Sequence, residues 1–392
     1  MAQSGANQAK LTAIQNNRLK KRSGYGEMDL PFFIIVITLL VIGIVMMFSA
    51  SYAWAIDDGY DGTYYAYKQT KMAGIGLVTM FIASYFDYHT FQKTWCAAGL
   101  FGVSLVMLVM VLVMGTSTGT GVTRWLQIGP LGFQPSEIMK FAVIVFFSML
   151  ISRHYDKMDN YLTGVVPFFA MLGIIAFLML KQPHLSGTIL IVSIGLVLML
   201  VGGVKIGHLL ATGGVAALFG AILLLNSDTY FNTRITTWLD PFNEATRDKE
   251  TWQTCESLIA IGSGGLFGLG LGESRQKYLY LPETKNDFVF SIVCEELGFV
   301  GAVVVVLLFA LLVFRGLYIA SRARDKFGML VAVGLTVQIG LQAFINIAVA
   351  SNLIPNTGIS LPLFSYGGTA LVMQLAEIGI ILNISRQAML DN

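Results

Sequence analysis

Apolar residues in this chain come in long, nearly unbroken runs separated by short polar breaks. Runs long enough to cross roughly 30 Å of hydrocarbon as helices cover residues 30–54, 67–86, 95–114, 136–151, 161–180, 186–201, 206–226, 288–314, 327–350 and 363–384. The pattern predicts an all-α polytopic membrane protein of ten transmembrane helices, with one long loop, 227–286, between the seventh and eighth. The first run follows a polar tail, and its apolar core exceeds a typical signal-peptide h-region, so it reads as an uncleaved helix. Residues 1–28 form a basic cytoplasmic tail, and 29–392 a single membrane domain without a fixed-period repeat.

Composition strengthens the class: 55% of residues are hydrophobic and 12% charged, where a soluble domain has about a quarter charged. Charge then sets orientation. With the N-terminus inside, short cytoplasmic loops and tails hold basic residues such as Lys20, Lys21, Arg22, Lys93, Arg153, Arg322 and Arg324. Short outer loops hold only Lys68, Lys71, Arg124 and Lys181, the asymmetry that the positive-inside rule expects. Both termini are therefore expected in the cytoplasm, and 227–286 is expected to be extracellular. A formal net charge of +2 with no basic face argues against nucleic acid as a partner. Cys96, Cys255 and Cys294 are far apart, and His89, His154, His184 and His208 never approach metal-ligand spacing, so no metal site is expected.

Candidate chemistry concentrates where polar residues meet the apolar runs on the outer side. Asp287 stands at the mouth of the eighth run, where a carboxylate is either costly and functional or a helix N-cap. In QPSEIMK, Glu137 and Lys140 lie one turn apart; capping accounts for the start of that helix but not for a lysine a turn into the membrane. KQPHLSGT makes a short turn, the glycine-dense GSGGLFGLGLG lacks a Walker lysine, and SNLIPNTGISLPLFSYGGT enters the last run without charge. Together these segments bring Arg124, Lys140, Lys277 and Lys285 with Glu137, Glu283, Asp287, Glu295 and Glu296 to one membrane surface. Cations matched with carboxylates beside lipid suit a lipid-linked phosphate substrate: a carboxylate takes a proton from an attacking hydroxyl while cations stabilise a departing pyrophosphate.

The segments LPETKNDFVFSIVCEELG, QPSEIMK, TWLDPF and IPNTGISLPLFSYGGTALV resemble the SEDS family (shape, elongation, division and sporulation), the group of FtsW, RodA and SpoVE. The resemblance runs from Asp29 to Arg386, and MMFSAS, GLGESRQKYLYLPE and NISR favour the FtsW and SpoVE branch. It implies a peptidoglycan glycosyltransferase that polymerises lipid II on the outer face of the bacterial cytoplasmic membrane, at the septum of division or sporulation. The donor it implies is a glycan linked to undecaprenyl pyrophosphate. The partners it implies are a class B penicillin-binding protein and other divisome proteins.

The aspartate of the family's PExxxDF motif, its probable general base, falls on Asp287. Carried over in the same way, Arg124, Glu137, Lys140, Lys277, Glu283, Ser365 and Tyr366 are substrate-binding residues. A divalent cation, Mg or Mn, would suit a pyrophosphate leaving group, although no ligand cluster is diagnostic. His184 stands where the family has an aspartate, so its loop is given no catalytic role; Asn286 and Glu256 depart from a threonine and a glutamine. The competing readings are a lipid II flippase, which needs a polar path through nearly charge-free mid-helix positions, and a non-catalytic divisome scaffold.

Overall fold

The structure, a computed structural model, describes residues 26–117, 123–128, 131–225, 230–243 and 251–388. It is predominantly α-helical. The helices are α1 (Leu30–Asp57), α2 (Tyr64–Tyr85), α3 (Thr94–Met114), α4 (Pro135–Arg153), α5 (Tyr161–Gly164), α6 (Val166–Leu180) and α7 (Leu185–Val201). They continue as α8 (Ile206–Leu225), α9 (Tyr230–Leu239), α10 (Trp252–Ser263), α11 (Val289–Ser321), α12 (Lys326–Ala350) and α13 (Gly368–Gln387).

Each of the ten apolar runs coincides with a helix or a helix pair, since α5 and α6 share the fifth. Among the described residues, however, only seven are long and apolar enough to cross a membrane: α1, α3, α4, the α5–α6 pair, α11, α12 and α13. Lys68, Gln69 and Lys71 dilute α2, and α7 is 17 residues long. The tail expected over 1–28 lies almost wholly outside the described residues.

Four features depart from the expected pattern. The chain is not all-α: β1 (Thr116–Ser117), β2 (Thr123–Ile128) and β3 (Leu131–Phe133) form an antiparallel sheet between α3 and α4. Its registers pair Thr116 with Trp125 and Leu126 with Phe133. Thr, Trp, Leu and Ile in β2 suit a pleated surface, but six residues are too few to stand out beside runs of twenty. The stretch 227–286 is not plain loop, because α9 and α10 lie in it.

The last helix begins at Gly368, since Pro355, Pro362 and the left-handed Gly358 and Leu363 keep the preceding segment irregular. Finally, α11 is broken at Gly298 (φ 67°), which turns a nine-residue piece, 289–297, into a span of 299–321. Inside the bundle Glu377 of α13, 3% exposed, accepts from Gln338 Nε2 at 2.7 Å.

Polar contacts mark the two ends of the bundle. At one end Asp29 caps α1, accepting from Phe32 N–H at 2.9 Å, and Arg315 grips it through Nε and Nη2 at 3.0 and 2.8 Å. Gly26 N–H reaches Arg386 carbonyl at 2.8 Å, so the start of α1 meets the end of α13. Within the bundle, small residues let backbones approach: a Cβ on Gly379 would stand 2.4 Å from Met80 carbonyl oxygen, fixing α13 against α2. The starts of α4, α11 and α13 and the end of α12 gather at the opposite end, around Asp287.

A candidate active site around Asp287

Residues 281–288 form a tight turn that ends where α11 begins. Glu283 takes a left-handed φ of 55°, and its carbonyl accepts both Asn286 N–H at 3.0 Å and Phe288 N–H at 3.2 Å. Three contacts from other elements hold the turn. Thr284 Oγ1 donates to Ala50 carbonyl on α1 at 2.8 Å, Tyr366 N–H donates to Lys285 carbonyl at 2.7 Å, and Ser365 Oγ donates to Asn286 carbonyl. Asn346, fully buried on α12, completes the clamp: its Nδ2 donates at 2.7 Å to both Asp287 carbonyl and Ile359 carbonyl. Gly358 leaves room for the carboxyl, because a Cβ there would lie 3.3 Å from Asp287 Oδ2, and its φ of +67° also requires glycine.

Asp287 itself is half-buried, in a recess that pushes its carboxyl up to about 6. Burial is the first cause and the charge of Glu283 the second; Arg124 and Arg234 pull the other way. Arg124, on β2, donates to Pro183 carbonyl, and Arg234, on α9, donates to Asn356 carbonyl. The sheet and α9 therefore carry two guanidinium groups to the Asp287 recess. Trp238 and Asn352 secure α9 reciprocally, Nε1 to Asn352 carbonyl at 3.0 Å and Nδ2 to Trp238 carbonyl at 3.1 Å.

Below this rim, Lys140 is 3% exposed and pairs with Glu137 at 2.8 Å, the one-turn geometry expected of QPSEIMK. Its Nζ also donates to Gln342 Oε1 at 3.0 Å, and Gln342 Nε2 reaches Ser360 carbonyl at 3.1 Å. Lys140 thus holds α4, α12 and the segment after α12 together. His184 sits between these cations, 7% exposed, with its base held down to about 3 by burial first and then by Arg124 and Lys140. Burial thus favours its neutral imidazole form. Ser186, two residues on, donates to Gly358 carbonyl at 3.1 Å and links that loop to the Asp287 recess.

The expected residues divide into three groups. Asp287, Glu283 and Arg124 share one electrostatic neighbourhood, with Lys140 and Glu137 joined to it through His184 and Arg124. Ser365 and Tyr366 act on the backbone beside Asp287, and the Tyr366 ring packs edge-on against Tyr65 at 5.1 Å. Lys277 lies elsewhere: 3% exposed, it donates to Ser49 Oγ at 3.0 Å and Glu296 Oε1 at 3.1 Å.

Sequence reasoning passed over Arg234 and Asn346, and it gave the His184 loop no catalytic role. Arg234 lies in a long loop whose charges carry no topological information, and Asn346 is a single amide in an apolar helix. The unusual polarity of Asn346 was the one available signal. Replacing Asn346 by Ala removes both 2.7 Å bonds, so turnover should fall roughly 10- to 100-fold with substrate KM within about twofold, because position is lost and no substrate contact is. Initial rates against substrate concentration check this, and a change confined to KM would place Asn346 on the substrate instead.

Residues 30–390 match the FtsW, RodA and SpoVE family, described as cell cycle protein. The chain belongs to that family. Among relatives, stage V sporulation protein E of Bacillus subtilis (strain 168) is 39% identical over 359 residues, 91% of this chain and 97% of that one. A probable peptidoglycan glycosyltransferase FtsW of Geobacter sp. (strain M18) is 36% identical over 368 residues, 94% of this chain and 98% of that protein. Of solved structures, a chain from a peptidoglycan synthase complex that coordinates polymerization and crosslinking superposes with TM-score 0.77 at 26% identity, covering 93% of this chain and 99% of that one. The rod shape determining protein RodA of Thermus thermophilus superposes with TM-score 0.65 at 27% identity, covering 93% and 98%. The fold is therefore RodA-like, and this member of the family is a multi-pass membrane protein.

Proposed function

We propose that this chain is a peptidoglycan glycosyltransferase that polymerises lipid II, with Asp287 as general base. The observation that carries the reading is a carboxyl raised to about 6 by burial, clamped from both backbone flanks and faced by Arg124 and Arg234. An acid with that value is still ionised at neutral pH yet takes up a proton more readily than an ordinary aspartate. The 4-hydroxyl of an incoming lipid II would lose its proton to Asp287 as its oxygen attacks the anomeric carbon of the growing strand. The carbon–oxygen bond to the lipid pyrophosphate breaks on the opposite face with inversion, and the pyrophosphate leaves as an anion that Arg124, Arg234 and Lys140 are placed to stabilise. Glu283 supports the base by raising it, and Glu137 pairs with Lys140 in its buried position.

The recess offers Asp287 and Glu283 but no larger cage, so a divalent cation would have to be completed by the pyrophosphate of the substrate. Among the described residues no three of His, Cys, Asp and Glu converge; Glu137 pairs with Lys140, and Glu283 accepts from Asn286 Nδ2 at 2.5 Å. The proposed chemistry is accordingly routed through Arg and Lys.

Ten spans, an outward-facing Asp287 end and two cytoplasmic termini form the topology proposed with this function. Its support is the helix at each of ten runs and the meeting of α1's start with α13's end, beside basic residues such as Arg153, Arg315 and Arg386. A class B penicillin-binding protein and other division proteins are the proposed partners, at the septum, in keeping with the synthase complex that this fold resembles. A flippase path is disfavoured because Glu377, inside the bundle, is sealed at 3% exposure and answered by Gln338.

Activity should carry an acid limb. A base must be ionised, so the rate at subsaturating lipid II should fall about tenfold per pH unit below about 6 and stay level above it. Glycan ladders formed from labelled lipid II between pH 4.5 and 8 check this. A plateau persisting to pH 4.5 would assign the base to another group.

A further inference from the structure

The break in α11 is sealed in an unusual way. An intact helix would bond Phe299 N–H to Glu295 carbonyl and Val300 N–H to Glu296 carbonyl. Here the glycine loop that follows α10 inserts between the two pieces. Leu269 and Gly270 N–H donate to Glu295 and Glu296 carbonyls at 3.0 and 3.1 Å, while Phe299 and Val300 N–H donate to Gly265 and Leu266 carbonyls at 2.9 and 3.1 Å. All four backbone groups released by the break find partners inside the protein, as hydrocarbon demands and water does not. The fit admits no side chain: a Cβ on Gly268 would stand 2.1 Å from Glu296 carbonyl oxygen, and one on Gly298 2.2 Å from Gly268 nitrogen.

Side chains make the same point independently. The loop exposes Leu266 by 65%, Phe267 by 81% and Leu271 by 60%, and the α11 residues bonded to it expose Phe299 by 64% and Val300 by 48%. That surface continues without interruption into the exposed apolar face of the 299–321 span, through Val304 and Leu307. Its polar counterpart, the carboxylates of Glu295 and Glu296, turns inward, each 1% exposed and held by Ser274, Arg275 N–H, Ser49 and Lys277.

We infer that the loop 265–271 is an interfacial wedge whose occupant is the lipid bilayer: Leu266, Phe267 and Leu271 lie at the boundary of headgroups and acyl chains. Left in water, so contiguous an apolar patch would be unfavourable. The wedge fixes the height of α11's upper end, and the same loop leads through Lys277 and Glu283 to Asp287. A headgroup arriving on a lipid carrier is thereby met at bilayer level. The inference rests on the membrane-spanning reading of 299–321 and is independent of the reaction assigned to Asp287.

The test is depth. Nitroxide labels at Leu266→Cys, Phe267→Cys and Leu271→Cys, in the full chain with Cys96→Ser, are compared in lipid nanodiscs with Val304→Cys on the lipid face and Asp61→Cys in the turn after α1. Collision with oxygen should dominate over collision with a water-soluble nickel complex at all three positions, as at 304. Nickel-dominated relaxation at 267 and 271, as at 61, would overturn the inference, and so would nickel accessibility that vanishes only when a partner protein is added. Three separate positions keep the test decisive if one variant misfolds, and no activity measurement enters it.

Discussion

Asp287→Ala should abolish polymerisation of lipid II, with a loss of roughly 10²–10⁴-fold, while the protein still folds and inserts. The backbone clamp explains why the fold survives. The contacts that tie 284–287 to α1, α12 and Ser365 run through Thr284 Oγ1 or main-chain groups, Lys285 adds an ion pair with Asp58, and the Asp287 carboxyl itself faces Gly358 and the recess. Asp287→Asn adds a second readout. A carboxyl raised from 3.8 to about 6 is ionised in the fold at a cost, so stability falls as pH rises through that interval. Asn removes the charge, and the variant should melt slightly higher than the native chain at pH 7.5, with the difference gone below pH 4. Ladder assays beside thermal melts separate the two effects: full activity in either variant would remove Asp287 as base, and a collapse of the fold would make it a structural residue.

Lys277→Ala should fail for a different reason, as loss of folded protein. Among the described residues its ammonium is the only full positive charge paired with Glu296, which is 1% exposed and also accepts from Ser49 Oγ at 2.6 Å. Stripping one partner from a buried ion pair destabilises by about 3–5 kcal/mol, because the other charge is left uncompensated. Yield of monodisperse protein should therefore drop several-fold in Lys277→Ala and recover in the double variant Lys277→Met, Glu296→Leu. The recovered protein should polymerise lipid II at close to the native rate. Native yield with lost activity in Lys277→Ala alone would return Lys277 to the substrate site.

The two lysines show how far a linear reading reaches. Lys140 and Lys277 look alike along the chain, each a cation close to an apolar run and each near a glutamate. For Lys140 the partner is three residues away on one helix, so spacing alone predicts the pair with Glu137, and the 2.8 Å contact follows. For Lys277 the glutamates near in sequence are Glu273 and Glu283, but the one it meets is Glu296, on the far side of a loop that folds back against α11. Ser365 is similar: its motif marks it as important, and the fold shows that its hydroxyl serves the carbonyl of Asn286. Nothing in the neighbouring sequence marks Arg234 or Asn346, and the docking of α9 and α12 beside Asp287 gives them a role.

By itself the sequence determined that this is a helical, multi-pass membrane protein, roughly where its long apolar helices lie, and that Asp287 is the acid at the mouth of a span. Burial of long apolar runs in lipid, the i,i+3 geometry of a helix and the rarity of a carboxylate in that setting are all local properties of the chain. Tertiary structure decided which cations face Asp287, which lysine is structural, and that α11 breaks at Gly298 to admit a loop. Those outcomes depend on backbone groups and charges far apart in sequence competing for partners in a low-dielectric interior, and only the packed fold brings the competitors within reach.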